Sequence, residues 1–149
     1  MARNYRAEAE DHVRRVFLRE KFGQRFSRER LQLSSGGVFD FDAVSEDEKI
    51  VCCISTSVGE TSGGNPAMAK LSKMRSDVLY LLLLPGERQR AMVFTDAAMA
   101  SLLRQEKENG RIPKDIEIFV SDIPTDIRDA LYKRKQMPNT ALEPTPTAR

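Results

Sequence analysis

The feature that most limits the fold is a pair of apolar segments joined by an acidic turn, between positions 38 and 57. The first reads VFDFDAV, the second reads IVCCISTS, and the polar run SEDEK separates them. Successive residues of a strand point to opposite faces, and β-branched residues favour strands. This pattern predicts a hairpin whose first strand turns side chains alternately to two faces. One face carries Phe39, Phe41 and Ala43, and the other carries Val38, Asp40, Asp42 and Val44.

Apolar periodicity and turn residues predict the elements on either side of this hairpin. A helix over about 5–22, ended by Gly23, and a short strand over 30–34 come first. After the hairpin we expect a helix capped by Asn65 with Pro66 at its first position, a buried strand over 78–84, a strand over 88–94, a helix capped by Thr95, an edge strand over 116–120 and a last helix capped by Thr125. This order predicts an α/β fold with a mixed sheet flanked by helices.

The composition is that of one globular domain. Of 149 residues, 40% are hydrophobic and 31% charged, which is typical of a protein with a single buried core. We expect this domain to span residues 1–136 and the proline-containing segment 137–149 to be a disordered tail. Residues 1–19 lack the apolar stretch of a secretion signal, and the adjacent Cys52 and Cys53 suit a reduced, cytoplasmic protein without a membrane segment.

The order of elements and the hairpin resemble the PD-(D/E)XK nuclease superfamily, with its restriction-endonuclease-like α-β-β-β-α-β core. In that family an aspartate on one strand and an acid-x-lysine on the next hold a divalent metal near the attacking water. The segment FDAVS looks like the aspartate strand, with Asp42 at the acid position. The segment CCISTS then puts Cys53 at the second carboxylate position and Ser55 at the lysine position.

These two replacements predict a loss of nuclease chemistry. A thiol is a poor ligand for Mg²⁺, which prefers oxygen, and a serine carries no positive charge. We therefore expect no catalytic residues, no resident metal and no cofactor. Some families of this fold relocate their active-site residues, and the candidates here are Glu60, Lys70 and Lys73, with Asp40 beside Asp42 as a further carboxylate. The simpler interpretation is a loop charge at Glu60, a surface charge at Asp40 and lysines on an outer helix face.

The N-terminal region is basic. Positions 1–33 hold nine Lys and Arg residues against five acids, and a basic helix can contact the phosphates of a nucleic acid. The contact candidates are Arg14, Arg15 and Arg19. The acids interleave with the bases, however, a pattern that also suits a solvated helix face.

Other chemistries have little support. His12 is the only histidine, so a zinc site or a catalytic triad would depend on this one residue. Cys53 lies in an apolar strand, where a cysteine is more often part of the core than a nucleophile.

Two further resemblances concern origin. The run GGVFDFDAVSEDEKIVCCISTS, with KLSKMRSD and ENGRIP, resembles a family of bacterial proteins without an assigned function in which serine replaces the lysine. The tail NTALEPTPTAR resembles read-through into the recombination site of an integron gene cassette.

These observations give a leading hypothesis and two alternatives. The first is a catalytically inactive nuclease-like domain that binds nucleic acid or a protein partner. The second is a metal-dependent nuclease, using Mg²⁺, with relocated residues around Asp42. The third is a self-associating structural or regulatory protein, because exposed strand edges favour pairing.

Overall fold

A computed structural model describes residues 2–59 and 67–136 of the chain. The N-terminal helix consists of α1, a π-helical segment and α2, which together cover 5–22. The bounds of all elements are α1 Tyr5–His12, the π-helical segment Val13–Leu18, α2 Arg19–Phe22, β1 Phe26–Gln32, β2 Val38–Ser45, β3 Ile50–Ser55, α3 Ala67–Leu82, β4 Gln89–Phe94, α4 Ala97–Glu108, β5 Ile116–Val120 and α5 Thr125–Gln136.

The strands form one five-stranded mixed sheet in the order β1-β2-β3-β4-β5. The pairs β1–β2 and β2–β3 are antiparallel, whereas β3–β4 and β4–β5 are parallel. Parallel neighbours need a crossover connection, and α3 and α4 supply the two that this sheet requires. The predicted α/β fold with a mixed sheet flanked by helices is therefore confirmed, and β5 is an edge strand as expected.

Helices cover both faces of the sheet. On one face α3 and α4 close the larger core, which contains Phe41, Cys53, Met92, Phe94 and Leu81. On the other face the N-terminal helix packs through Val13 and Leu18 onto Ala43, Cys52 and Val93. A smaller cluster joins α1 to α5 through Ala9, Ile127 and Leu131. Each central strand is thus apolar on both faces because helices cover both.

The predicted strand over 78–84 is wrong, because most of this segment is the last part of α3. Val78, Leu81 and Leu84 are buried, whereas Leu79 and Leu82 are 52% and 41% exposed. A spacing of three residues between buried positions is helical, and leucine is a good helix former. The exposed leucines hide this spacing in the sequence, so the segment reads as an unbroken apolar run.

The predicted faces of β2 are also wrong beyond Phe41, because β2 contains a β-bulge. Ser27 pairs with Val44 and Glu29 with Phe41, so two steps along β1 match three along β2. The extra residue reverses the alternation. Val44 therefore joins Phe41 in the larger core, and Ala43 turns to the N-terminal helix.

The helix ends agree with the predictions at one site and differ at another. Gly23 follows α2 with φ of +70°, the left-handed conformation in which glycine carries no steric penalty. The cap of α4 is Asp96 and not Thr95: its carboxylate accepts from Met99 N at 3.2 Å and from Gly59 N at 2.8 Å. Thr95 instead donates its hydroxyl to Ser55 O.

Several predictions concern residues outside the described part of the chain. These are the cap Asn65 with Pro66, the loop acid Glu60, and the tail 137–149. Among the described residues, no helix is both long enough and apolar enough to cross a membrane.

Candidate functional site

Asp42 lies at the bulge and takes over a main-chain role. The paired residues of β2 and β3 are Ala43 with Cys52 and Val44 with Val51. Two residues beyond Cys52, the N–H of Ile54 donates to the Asp42 carboxylate at 2.8 Å, where a main-chain acceptor of β2 would bond in a regular ladder. The main-chain carbonyl of Asp42 accepts from Arg14 Nη1 at 2.8 Å. Asp42 therefore joins the sheet to the N-terminal helix.

The two cysteines are free and buried on opposite faces of β3. Burial raises the pKa of the Cys52 thiol to about 12. Burial, followed by the charge of Asp77, raises the pKa of the Cys53 thiol well above its usual range. Cys53 is 1% exposed, so it packs as a core residue and presents no thiolate to solvent.

Ser55 occupies the other replaced position and borders a cleft of about 210 Å³ at the carboxyl end of β3. Three consecutive hydroxyl residues, Ser55, Thr56 and Ser57, line it, together with the first half of α3 and Met99 of α4. We call this space the hydroxyl cleft. The charged side chains that line it are Arg6, Lys70, Lys73 and Asp77.

The two lysines named from the sequence both border the hydroxyl cleft. Lys73 Nζ lies 3.1 and 3.2 Å from the two carboxylate oxygens of Asp77. Lys70 Nζ donates to the carbonyl of Val58. Burial raises the pKa of Asp77 even though Lys73 opposes the shift.

Two carboxylates that interact with the charge of Asp42 were missed in the sequence. Asp77 follows Lys73 by four residues, the spacing of a helical ion pair, but it stands directly before the segment 78–84 that was predicted to be a strand. Glu10 lies on α1, and its pKa is raised first by burial and then by the charge of Asp42, while Arg14 lowers it. The sequence indicates it through the four-residue spacing between Glu10 and Arg14, which is the spacing of a helical ion pair.

The other sequence candidate among the carboxylates lies apart from the cleft lining. Asp40 binds Arg30 Nε at 2.9 Å in an exposed ion pair between β2 and β1. This hydrogen bond lowers the pKa of Asp40. In the described part of the chain, no group of three or more His, Cys, Asp or Glu side chains could hold a metal ion.

The three arginines proposed to contact nucleic acid do converge. Arg14, Arg15 and Arg19, joined by Arg25 and Phe26, line a groove of about 500 Å³, which we call the arginine groove. Arg14 and Arg15 belong to the π-helical segment, a rare conformation that is frequent at functional sites. It sits where the N-terminal helix faces the beginning of β1.

The arginines of the groove differ in their partners. Arg15 Nε lies 3.3 Å and Arg14 Nη2 3.8 Å from the same carboxylate oxygen of Asp11. The side chains of Arg19 and Arg25 make no hydrogen bond or ion pair with another described residue. Asp11 therefore pairs with two of the four guanidinium groups.

Comparison of the chain with protein-family models, with curated proteins and with solved structures found no match.

Proposed function

We propose that this protein binds nucleic acid through the arginine groove without cleaving it. The observation that carries the proposal is the convergence of four arginines on one groove. Arginine forms paired hydrogen bonds with phosphate oxygens and stays charged at any physiological pH. Asp11 neutralises part of this charge, and Arg19 and Arg25 keep theirs.

The residues at the nuclease-like hairpin support binding over cleavage. Cys53 is sealed in the core, and Ser55 brings a neutral hydroxyl to the cleft. One carboxylate oxygen of Asp42 already accepts a hydrogen bond from the Ile54 N–H. Phosphodiester cleavage with Mg²⁺ needs hard oxygen ligands and a positive group near the developing charge. Of the three motif positions, only Asp42 carries a group that suits this chemistry.

The test is a fluorescence-anisotropy titration of labelled single-stranded and duplex DNA and RNA over a range of salt concentrations. We expect binding that weakens as salt increases. The double variant Arg19→Ala/Arg25→Ala should bind more weakly, and on duplex its slope of log K against log salt should be shallower by about 0.9 for each lost phosphate contact.

A matched control removes two positive charges elsewhere. Lys114 and Lys133 are exposed, and neither side chain makes a hydrogen bond or ion pair with a described residue. Lys114→Ala/Lys133→Ala should keep nearly the wild-type affinity. Absence of binding by the wild-type protein even at low salt would overturn the proposal and leave a protein partner or self-association.

A metal-dependent nuclease is the second candidate, and one observation favours it. After burial, the charge of Asp42 further raises the pKa values of Glu10 and Asp77, and Lys73 pairs with Asp77 beside the cleft. The test is nicking of supercoiled plasmid with Mg²⁺ or Mn²⁺. We expect none. Nicking by the wild-type protein that is lost in Asp42→Ala and in Asp77→Asn would replace our proposal with this one.

A further inference from the structure

We propose that the hydroxyl cleft binds the terminal phosphate of a nucleic-acid strand that lies in the arginine groove. This inference rests on the proposed function, and it assigns the cleft to a phosphate monoester at a strand end.

The hydroxyl groups of the cleft have no hydrogen-bond partner in the described part of the chain. The side chains of Ser55, Thr56 and Ser57 make no hydrogen bond with another described residue. Thr56 is only 7% exposed, and a buried hydroxyl without a partner is uncommon because its desolvation is not compensated. Phosphate oxygens accept hydrogen bonds from hydroxyl groups, so a bound phosphate would supply the missing partners.

The charges of the cleft suit a dianion. Three cationic side chains and one carboxylate line it: Arg6, Lys70, Lys73 and Asp77. Arg6 makes no ion pair or hydrogen bond with a described residue. A phosphate monoester carries about −1.5 to −2 charges near neutral pH, whereas each internal phosphodiester carries one. The cleft therefore matches a strand end better than an internal phosphate.

The size of the cleft limits what can enter it. Its volume of about 210 Å³ is below the range of roughly 300–1,000 Å³ that is usual for pockets enclosing a whole small molecule. It accommodates a phosphate group, while the sugar and base must remain outside.

The N-terminal helix connects the cleft with the groove. Arg6 of α1 lines the cleft, and Arg14, further along the same helix, lines the groove. At a rise of about 1.5 Å per residue the two positions are about 12 Å apart along the helix axis, a distance that a few nucleotides span. A strand that follows this helix from the arginine groove can place its end at the hydroxyl groups.

The test compares oligonucleotides of one sequence that end in a 5′-phosphate, in a 3′-phosphate or in hydroxyl groups at both ends. Fluorescence anisotropy gives the affinities. We expect one phosphorylated end to bind about tenfold more tightly than the hydroxyl-ended strand, the size expected for one or two hydrogen bonds to a charged group. The end at which a phosphate increases the affinity shows the direction in which the strand runs.

Three variants separate the cleft from the groove. Thr56→Val keeps the shape of the side chain and removes its hydroxyl, and Ser57→Ala provides the same test at a more exposed position. Either should abolish most of the preference for the phosphorylated end without changing the affinity of the hydroxyl-ended strand. Arg19→Ala/Arg25→Ala should weaken both strands by the same factor.

Asp77→Asn distinguishes a phosphate site from a cation site. Removal of this carboxylate eliminates a competitor for Lys73 and a repulsive charge, so the preference for the phosphorylated end should increase by a few-fold. A metal site at the same place would lose its ligand and bind Mn²⁺ more weakly. A reduced phosphate preference in Asp77→Asn overturns the inference.

Failures of the two proposals give different results. Equal binding of all three strands by the wild-type protein overturns this inference and leaves the proposed function intact. If no strand binds, the proposed function fails, and inorganic phosphate then probes the cleft by itself in an NMR titration. Amide shifts that are confined to residues 55–57 and lost in Ser57→Ala support the site, and their absence overturns it.

Discussion

Asp42 shows how one side chain can replace a main-chain group. β2 is bulged at this position, and beyond the last β2–β3 pair the carboxylate of Asp42 accepts the Ile54 N–H. The sequence identified Asp42 as a special residue of the hairpin through its resemblance to a metal-binding aspartate. The structure adds a stabilising role that is independent of any metal.

We expect Asp42→Ala to destabilise the protein by about 1–3 kcal/mol, because the N–H of Ile54, itself 7% exposed, loses its acceptor. Asp42→Asn retains a carbonyl oxygen and should be less harmful. Urea unfolding measures both. Asp40→Ala, which breaks an exposed ion pair, is the control and should have little effect. An equal loss in all three variants would contradict this role.

Asp77 should make the stability of the protein depend on pH. Its pKa is raised by burial, so the folded state binds the proton more tightly than the unfolded state does. The resulting stability is present below the ordinary pKa of aspartate and is lost as pH rises through the folded pKa. The Asp77→Asn variant does not lose stability in this way. As pH rises, the free energy of unfolding of the variant should therefore increase relative to that of the wild type.

Denaturant unfolding from about pH 4 to about pH 7, the range above the ordinary aspartate pKa, measures that difference. Lys73 attracts the ionised carboxylate and works against burial. A difference that decreases with pH would mean that this attraction outweighs the cost of burial.

At the scale of elements, α3 explains why the sequence predicts some segments and not others. Its first half was read correctly as a helix, but the segment from Val78 onward has apolar residues on every side. Periodicity cannot separate a buried strand from a helix in such a run. The packing of Leu81 and Leu84 against the sheet decides for the helix.

Glu106 links the helices on this face of the sheet. Its carboxylate lies 2.6 Å from Arg75 of α3 and 3.1 Å from Arg111, which follows α4. The hydrogen bond from Arg75 lowers the pKa of Glu106. Burial raises this pKa, but its effect is smaller. The carboxylate is buried in the structure between two guanidinium groups.

We expect Glu106→Gln to destabilise the protein at neutral pH and much less in acid. A lowered pKa stabilises the folded state above the ordinary pKa of glutamate, and that contribution is lost as pH falls through the folded pKa. The trend is thus opposite to that of Asp77. Urea unfolding of the variant and the wild type across the acid range measures the gap, and a gap that is independent of pH would contradict the ion pairs.

At the scale of the whole molecule, α4 protects one edge of the sheet. Ser121 N–H points to Phe94 O in β4, so alternation turns the carbonyls of Ile116 and Ile118 to the free edge of β5. Lys107 Nζ donates to Ile116 O at 2.7 Å, and Arg104 Nη2 lies 3.5 Å from Ile118 O. The two side chains therefore occupy carbonyl groups that would otherwise be open to the N–H groups of another strand.

The double variant Arg104→Ala/Lys107→Ala should therefore associate more than the wild type at the same concentration. Sedimentation velocity over a concentration series measures this as a larger weight-average sedimentation coefficient. Lys114→Ala/Lys133→Ala removes the same charge, leaves the side chains of Arg104 and Lys107 on the β5 carbonyls, and serves as the control. Equal behaviour of the two double variants would show that charge, and not edge protection, controls association.

The candidate site was only partly accessible from the sequence. Arg14, Arg15 and Arg19 lie close together along one helix, so their convergence follows from helical geometry. Arg25 and Phe26 join the groove from another element. Asp77 and Arg6 come to the cleft from two helices on opposite faces of the sheet, and no local pattern brings such residues together.

The sequence by itself determined the α/β class, the hairpin, the edge position of β5 and the capping of α2 by Gly23. These depend on alternation, on turn residues and on the conformational freedom of glycine, which act over a few neighbouring positions. Only the tertiary structure decided that 78–84 is mostly helical, that β2 contains a bulge and that Cys53 is sealed while Ser55 borders a cleft. Each of these depends on which surfaces pack together, and burial by distant residues outweighs local preference.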